Sequence, residues 1–413
     1  LFEVYVHVPF CMRRCGYCDF NTYTATDLGG GASRTNYANL AIRDMCLTRA
    51  WQEAHGVHEP AASSVFFGGG TPTLLPASDL ARMLQAVRDT WGVAPGAEIT
   101  TEANPDTLDD AYVAELADAG FTRISFGMQS AVPHVLRTLD RTHTPSNVEA
   151  GVRAADRHGL RSSVDLIYGA PGESLEDWTT SVRTAIGLGV NHVSAYALTV
   201  EPETKMGRKI AAGTLPKPDD DDEAAKYEIA DRLLSEAGFQ WYEVSNWARP
   251  GHESRHNLGY WRNVDWAGIG PGAHSHYNAA LAPAGTPHTD GFRATGATPG
   301  EPVEPAGDTT TAAVRSWEIA HPKRWAQAME LGRVPWQDSE TINPTEAGEE
   351  ELLLGLRLRD GFDTTALAGA IPESAWSELE KEGLIRMEGE RAVPTLRGRL
   401  LNDTIITRLM QYV

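Results

Sequence analysis

An open, partial α/β barrel of six strand–helix units, followed by a small winged-helix-like helical domain, is the fold this sequence predicts. Three observations predict it. Short segments rich in Val, Ile, Phe or Tyr alternate with helix-length stretches through residues 1–200. The loops after those segments concentrate Cys, Gly and Pro. From Thr345 onward the pattern changes to helix, helix, hairpin, helix.

The predicted strands are Glu3–Val8, Ser64–Phe67, Glu98–Glu102, Arg123–Phe126, Ser163–Ile167 and His192–Ala197. Helical stretches lie between them at Arg34–His55, Ala77–Thr90, Asp106–Ala119, Asn147–His158 and Leu175–Leu188. Parallel strands need a crossover, and a repeated strand-plus-helix pattern supplies one. Six units are too many for one mononucleotide-binding half and too few for a closed eight-stranded barrel. In a barrel the loops after the strands form the active face. Here those loops hold Cys11–Cys18, Gly68–Thr73, Ala103–Pro105, Gly127–Ser130 and Gly169–Gly172. One such loop is ordinary turn chemistry; five at the same strand ends look like one assembled site.

Residues 201–344 form a less regular middle region. Asp219–Glu223 is an acidic run that opens a helix reaching Ala237, read as a solvated helix start at the favourable dipole end. Trp241, Trp247, Trp261 and Trp266 follow, and Leu281–Asp308, dense in Gly, Ala, Pro and Thr, reads as a surface loop or insertion. Residues 345–413 give helices at Glu349–Leu358, Pro372–Lys381 and Asn402–Met410, with a hairpin of Leu384–Met387 and Arg391–Leu396. That winged-helix-like order suits packing or partner docking better than DNA.

Charge supports this choice. The 413 residues include 36 Lys and Arg against 56 Asp and Glu, a formal charge of −20, so no nucleic-acid partner is expected. An apolar fraction of 41% supports a large core. No apolar run reaches the roughly 18 residues a spanning helix needs, so a cytoplasmic protein is expected, with peripheral attachment to the inner face of a membrane left open.

Four cysteines are too few for a disulfide framework. Three of them, Cys11, Cys15 and Cys18, fall within eight residues at a strand end, and Cys46 stands alone in a helix, where a small buried hydrophobe is the better reading. Three thiolates can hold zinc, hold an iron–sulfur cluster, or be incidental. Zinc normally takes a fourth ligand from a second close pair, and none follows. Three thiolates on a cubane cluster leave one iron open to a cosubstrate.

The C-x3-C-x2-C spacing resembles that of the radical S-adenosylmethionine superfamily, whose fold is a partial barrel of this type. Within it, Val4–Cys11, Phe66–Thr73, Ser125–Ser130 and Asp165–Pro171 resemble the oxygen-independent coproporphyrinogen III oxidases and their haem-chaperone paralogues. The resemblance implies a [4Fe-4S] cluster on Cys11, Cys15 and Cys18, with S-adenosylmethionine chelating the fourth iron. It further implies cosubstrate contacts at Tyr5, Gly69, Gly70, Thr71, Glu102, Gln129, Arg141 and Asp165. Each suits its role. Glycines let backbone approach a ligand, Arg141 can meet a carboxylate, and Asp165 can accept from ribose hydroxyls.

Departures within the family choose between its members. The oxidases carry a further cysteine two residues after the third, where this chain has Phe20 in Cys18-Asp19-Phe20-Asn21, the C-D-F-N of the chaperones. They also have an extension before the first strand, with which this sequence begins. His256-Asn257-Leu258-Gly259-Tyr260-Trp261 resembles a chaperone segment linked to haem. From the residues alone, core packing with a satisfied histidine is the plainer reading. With the resemblance, His256 is expected to ligate haem iron, with His252 and His274 as rivals. The expectation is a haem-transfer protein, not a true oxidase. Its partners are then haem, an electron donor for the cluster and an acceptor haemoprotein such as a membrane-associated respiratory enzyme. Oxidative decarboxylation of coproporphyrinogen III propionates to vinyls is the alternative.

Overall fold

The computed structural model describes residues 1–278 and 311–413, so the loop expected at Leu281–Asp308 lies outside the described residues. Six strands run where the periodicity places them: β1 (Phe2–Val8), β2 (Ala62–Gly69), β3 (Val93–Ala103), β4 (Arg123–Gln129), β5 (Arg161–Tyr168) and β6 (His192–Ala197). They pair side by side, all parallel. Their crossovers include α1 (Tyr37–Ala54), α2 (Ala77–Thr90), α3 (Asp110–Ala119), α4 (Pro133–Thr138), α5 (Pro145–Arg157) and α6 (Leu175–Gly187). The helices α5 and α6 start at capping boxes, Thr144 with Asn147 and Ser174 with Asp177, so each strand-end loop has a fixed exit.

The sheet does not stop at six strands. The middle region adds α7 (Lys205–Ala211), α8 (Asp220–Glu236), β7 (Gln240–Glu243), β8 (Asn246–Ala248), α9 (Arg255–Trp261), β9 (Asp265–Ile269) and β10 (His274–Asn278). Beyond these lie β11 (Ala313–Glu318), α10 (Pro322–Glu330) and β12 (Trp336–Ile342). The result is one open sheet in the order β12-β11-β10-β9-β1-β2-β3-β4-β5-β6-β8-β7. Strand β9 runs parallel to β1, and β10, β11 and β12 continue antiparallel beside it. These additions escape a periodicity reading because they are short and polar, as in His274-Ser275-His276-Tyr277-Asn278.

The C-terminal helical region comprises α11 (Pro344–Gly355), β13 (Phe362–Asp363), α12 (Glu373–Lys381), β14 (Ile385–Glu388), β15 (Arg391–Pro394), α13 (Leu396–Leu400) and α14 (Asn402–Met410). It has its own apolar cluster around Leu352, Phe362, Trp376, Leu379 and Ile405.

Two expectations are corrected here. Cys46 is exposed, not buried. The inward face of α1 carries Tyr37, Ala41, Asp44, Met45, Thr48 and Gln52, and Cys46 points away from it. Two of those inward positions are polar because distant groups satisfy them: Asp44 accepts from the Gly270 N–H at 2.9 Å, and Gln52 from the Trp91 indole at 2.7 Å. Nor is the acidic run at α8 simply solvated. Asp219 caps the helix by accepting from the Asp222 N–H, but Asp222 also pairs at 2.6 Å with Lys226, which is fully buried against Glu173 at 3.1 Å.

That buried pair holds the loop after β5, since Glu173 also accepts from the Gly169 N–H at 2.9 Å. Breaking a buried pair leaves a charge without its partner, at about 3–5 kcal/mol. Lys226→Met is therefore expected to lower the denaturant midpoint markedly in equilibrium unfolding, whereas Lys209→Met on the exposed end of α7 leaves it in place.

Candidate functional site

Strand ends of the parallel sheet meet at three adjoining cavities. The smallest, about 130 Å³, is bordered by Cys11, Cys15 and Cys18. The cysteine loop leaves β1, and its backbone is fixed by bonds from Cys11 N–H to the Tyr23 carbonyl at 2.9 Å and from Cys18 N–H to the Cys15 carbonyl at 3.2 Å. Thr71 donates to the Cys11 sulfur at 3.8 Å, and Arg141 to the Cys15 sulfur at 3.4 Å. Burial pushes the Cys11 and Cys18 thiols up, and the neighbouring cysteines add to it. A bound iron cation would reverse that effect and favour thiolates. Among the described residues, no group of three His, Cys, Asp or Glu is gathered around a single-ion position. The thiols instead face a shared space.

The loop after β2 presses against this space. A Cβ on Gly70 would stand 2.6 Å from the Phe10 carbonyl oxygen, and Gly69, at φ +104°, leaves no room beside the His7 ring. Gly69, Gly70, Thr71 and Glu102 thus border the thiol cavity, and Gln129, Arg141 and Asp165 border it from the strands beyond. Tyr5 lies in the two adjoining cavities and hydrogen-bonds His7 Nδ1 at 3.1 Å.

Several of these groups hold unmet polar capacity. Arg141 donates from Nη2 to Asn104 Oδ1 at 2.7 Å and to the Gly127 carbonyl at 2.9 Å, but its buried Nε has no partner among the described residues. Gln129 Oε1 is likewise buried and unpartnered. Gln129 takes φ 60°, costly for a residue with a Cβ, at an irregularity in the β4–β5 pairing. Asp165 accepts from Ser125 Oγ at 3.1 and 3.0 Å, and burial raises its pKa. Glu102 accepts from the Gly69 N–H at 3.0 Å; burial, reinforced by Asp165, raises its pKa to about 8. Buried unpaired polar atoms beside three thiols and a glycine cradle fit a polar, zwitterionic ligand bound next to a metal cluster.

The second cavity, about 430 Å³, continues inward past Glu102, Ser125 and Asp165 to His256. His256, the expected iron ligand, stands at the inner end of this cavity. Its ring is 1% exposed and stacks on Phe66, with centroids 5.0 Å apart. Nδ1 is 2.7 Å from Ser64 Oγ and Nε2 is 3.0 Å from Tyr260 Oη, so neither nitrogen is free for a metal in this conformation. Burial, with the Arg123 charge, lowers its pKa to about 3. Buried Glu98 holds the start of α9 by accepting from the Arg255 N–H at 3.1 Å. His252 borders none of these three cavities.

The third and largest space is a cleft of about 770 Å³ between the β9–β11 side of the sheet and α11. Phe20 and Glu102 border all three cavities, and Phe20 is 59% exposed. Asn21 ties the cysteine loop to the cleft wall, donating to the Pro271 carbonyl at 2.9 Å and the Ala320 carbonyl at 2.8 Å.

Residue reasoning missed Asn104, which joins Thr71 and Arg141, and Ser125, which holds Asp165. The Ala103-Asn104-Pro105 loop was the available signal for the first. No sequence signal pointed to the large cleft, whose walls come from residues far apart in the chain.

No helix among the described residues is long and apolar enough to cross a membrane. Residues 5–185 match the Radical SAM superfamily, and residues 342–401 match the HemN C-terminal domain. The chain is 43% identical over 411 residues to "Heme chaperone HemW" of Mycobacterium tuberculosis, covering 99% of this chain and 95% of that one. It is 30% identical over 413 residues to the Bacillus subtilis protein of the same name, covering 98% and 97%. The solved coproporphyrinogen III oxidase of Escherichia coli superposes with a TM-score of 0.77 over 100% of this chain and 90% of that one, at 19% identity, a likeness of fold. Superfamily membership implies a [4Fe-4S] cluster and S-adenosylmethionine, which the thiol cavity and its unpaired polar groups fit. Full-length similarity of this degree makes the chain a member of the HemW heme-chaperone family of the radical SAM superfamily.

Proposed function

We propose that this chain binds haem and passes it to an acceptor haemoprotein, with a [4Fe-4S] cluster and S-adenosylmethionine held at the adjoining strand ends. The observation that carries the reading is Phe20. Where the oxidases place a cysteine, this chain places an exposed aromatic ring at the junction of the thiol cavity and a wide open cleft. An oxidase must hold a propionate in close alignment with a radical, which calls for a closed pocket. A transfer protein needs a face that an acceptor can reach. The names of the full-length relatives support the same choice.

In this reading Cys11, Cys15 and Cys18 ligate the cluster, which supplies single-electron reduction of the sulfonium when bound. Gly69, Gly70 and Thr71 receive the amino end of the cosubstrate, Arg141 its carboxylate, and Asp165 its ribose, with Gln129, Glu102 and Tyr5 completing the walls. Convergence of the strand-end loops supports a partial barrel over residues 1–200, and the helices with the three-stranded sheet β13-β15-β14 support a winged-helix-like module over residues 345–413. We assign Tyr260–His274 and Arg315 of the middle region to the cleft wall, and the C-terminal module to partner docking. A reductant protein, a cytoplasmic setting and an acceptor at a membrane respiratory complex complete the proposal.

The test is anaerobic reconstitution, followed by haem for one preparation and coproporphyrinogen III with reductant for another. Roughly stoichiometric haem uptake with no vinyl product is expected. Catalytic formation of protoporphyrinogen IX would instead make the protein an oxidase.

A further inference from the structure

We infer that Asn104 is a positioning residue that aims hydrogen-bond donors at two of the three cluster cysteines and thereby raises the reduction potential of the cluster. The inference rests on the cluster assigned above to Cys11, Cys15 and Cys18.

An unbroken chain of hydrogen bonds runs along the thiol cavity, which Asn104 borders. Asn104 Oδ1 accepts from Arg141 Nη2 at 2.7 Å, and Arg141 Nη1 donates to the Cys15 sulfur at 3.4 Å. In the other direction Asn104 Nδ2 donates to Thr71 Oγ1 at 3.4 Å, and that hydroxyl donates to the Cys11 sulfur at 3.8 Å. One carboxamide thus joins the loops after β2 and α4, and the chain ends on a sulfur at each side. Cys18 stands outside it, with Thr22 Oγ1 of its own loop at 4.0 Å.

Asparagine suits this place because the two ends of its amide have opposite polarity. The oxygen takes the guanidinium. The nitrogen feeds the Thr71 hydroxyl, whose single proton is then left for the sulfur. An aspartate would offer two acceptors: one would neutralise Arg141, and the other would draw the Thr71 proton away from Cys11. The backbone at this position is also held. The Asn104 carbonyl accepts from the Thr107 N–H at 3.0 Å and the Thr107 hydroxyl at 2.8 Å, and Pro105 disfavours a helical conformation before it.

Arg141 carries the larger share of the effect. Its Nη2 also donates to the Gly127 carbonyl at 2.9 Å, which fixes the plane of the guanidinium. Among the described residues no carboxylate pairs with it, so its charge acts on the sulfur side. Arg13, which also borders the cavity, is paired with Asp140 at 3.0 Å. Taking up one electron from a reductant makes the cysteine sulfurs more negative. Donors to those sulfurs then bind more strongly, so each donor raises the potential.

The test uses the full chain, reconstituted anaerobically without S-adenosylmethionine and titrated with dithionite, the reduced cluster being read by electron paramagnetic resonance. Asn104→Asp is expected to keep wild-type iron and sulfide but to be reduced at a lower potential, by on the order of tenfold in the one-electron equilibrium, about 59 mV. Thr71→Val is expected to lower the potential by less, and Thr71→Ser to keep the wild-type value. Combining Asn104→Asp with Thr71→Val is expected to shift it by less than the two single shifts together, because both act through one hydroxyl. A wild-type potential in Asn104→Asp overturns the inference. So does loss of iron and sulfide from that variant, which would make Asn104 an assembly residue. Failure of the wild-type chain to hold iron and sulfide would instead overturn the cluster reading itself.

Discussion

Replacing Cys11, Cys15 or Cys18 with Ala is expected to reduce iron and sulfide to background after anaerobic reconstitution, and replacing Cys46 is expected to change neither. The three thiols border one cavity of about 130 Å³, whereas Cys46 lies exposed on the outward face of α1. Loss of one ligand in three leaves a second iron without protein support, so the effect is near complete. The loop itself should persist in these variants. Asn21 anchors it to Pro271 and Ala320, and Arg13 and Lys205 pair with Asp140 at 3.0 and 2.8 Å. Circular dichroism should therefore stay native-like. Equal cluster loss in Cys46→Ala, or retention in Cys15→Ala, would overturn the ligand set.

Glu102→Gln should weaken S-adenosylmethionine binding and, at the same time, stabilise the unloaded protein at neutral to mildly alkaline pH. Burial first, then the charge of Asp165, raises the Glu102 pKa from 4.5 to about 8. Between those values the folded protein keeps a proton that the unfolded chain releases. The contribution to stability is thus fully present below about 4.5 and is lost as pH rises towards 8. Glutamine removes this dependence while its carbonyl can still accept from Gly69. The melting temperature of the variant should exceed that of the wild type at pH 8 and converge with it at acid pH. Loss of a charge-assisted bond to a cationic ligand costs about 1.5–3 kcal/mol, or roughly ten- to a hundredfold in affinity. Calorimetry on cluster-loaded protein reads the second effect. In the wild type, ligand binding at neutral pH should release a proton, seen as a heat that varies with buffer ionisation enthalpy. A variant with unchanged affinity would remove Glu102 from the site.

The parallel strands and their helices were legible because each buries an apolar face through its own residues. Segments such as Val4-Tyr5-Val6-His7-Val8 declare themselves locally, and strands β1 to β6 lie within a few residues of their predicted bounds. The outer strands were not legible. His274–Asn278 and Trp336–Ile342 alternate weakly, and they become strands because an existing sheet edge offers unpaired backbone groups. Helix α1 shows the same limit. Asp44 and Gln52 are inward because Gly270 and Trp91 meet them, and no helical period could reveal that Cys46 faces out.

The sequence by itself determined the cysteine spacing, the glycine cradle and the parallel order of the central strands. These depend on covalent spacing and local burial, which a linear pattern carries in full. Only the tertiary structure decided which side chains meet the ring of His256 and which residues line the large cleft. Both His256 nitrogens lie within hydrogen-bond distance of Ser64 and Tyr260, because partners are chosen by distance in space and not by position along the chain.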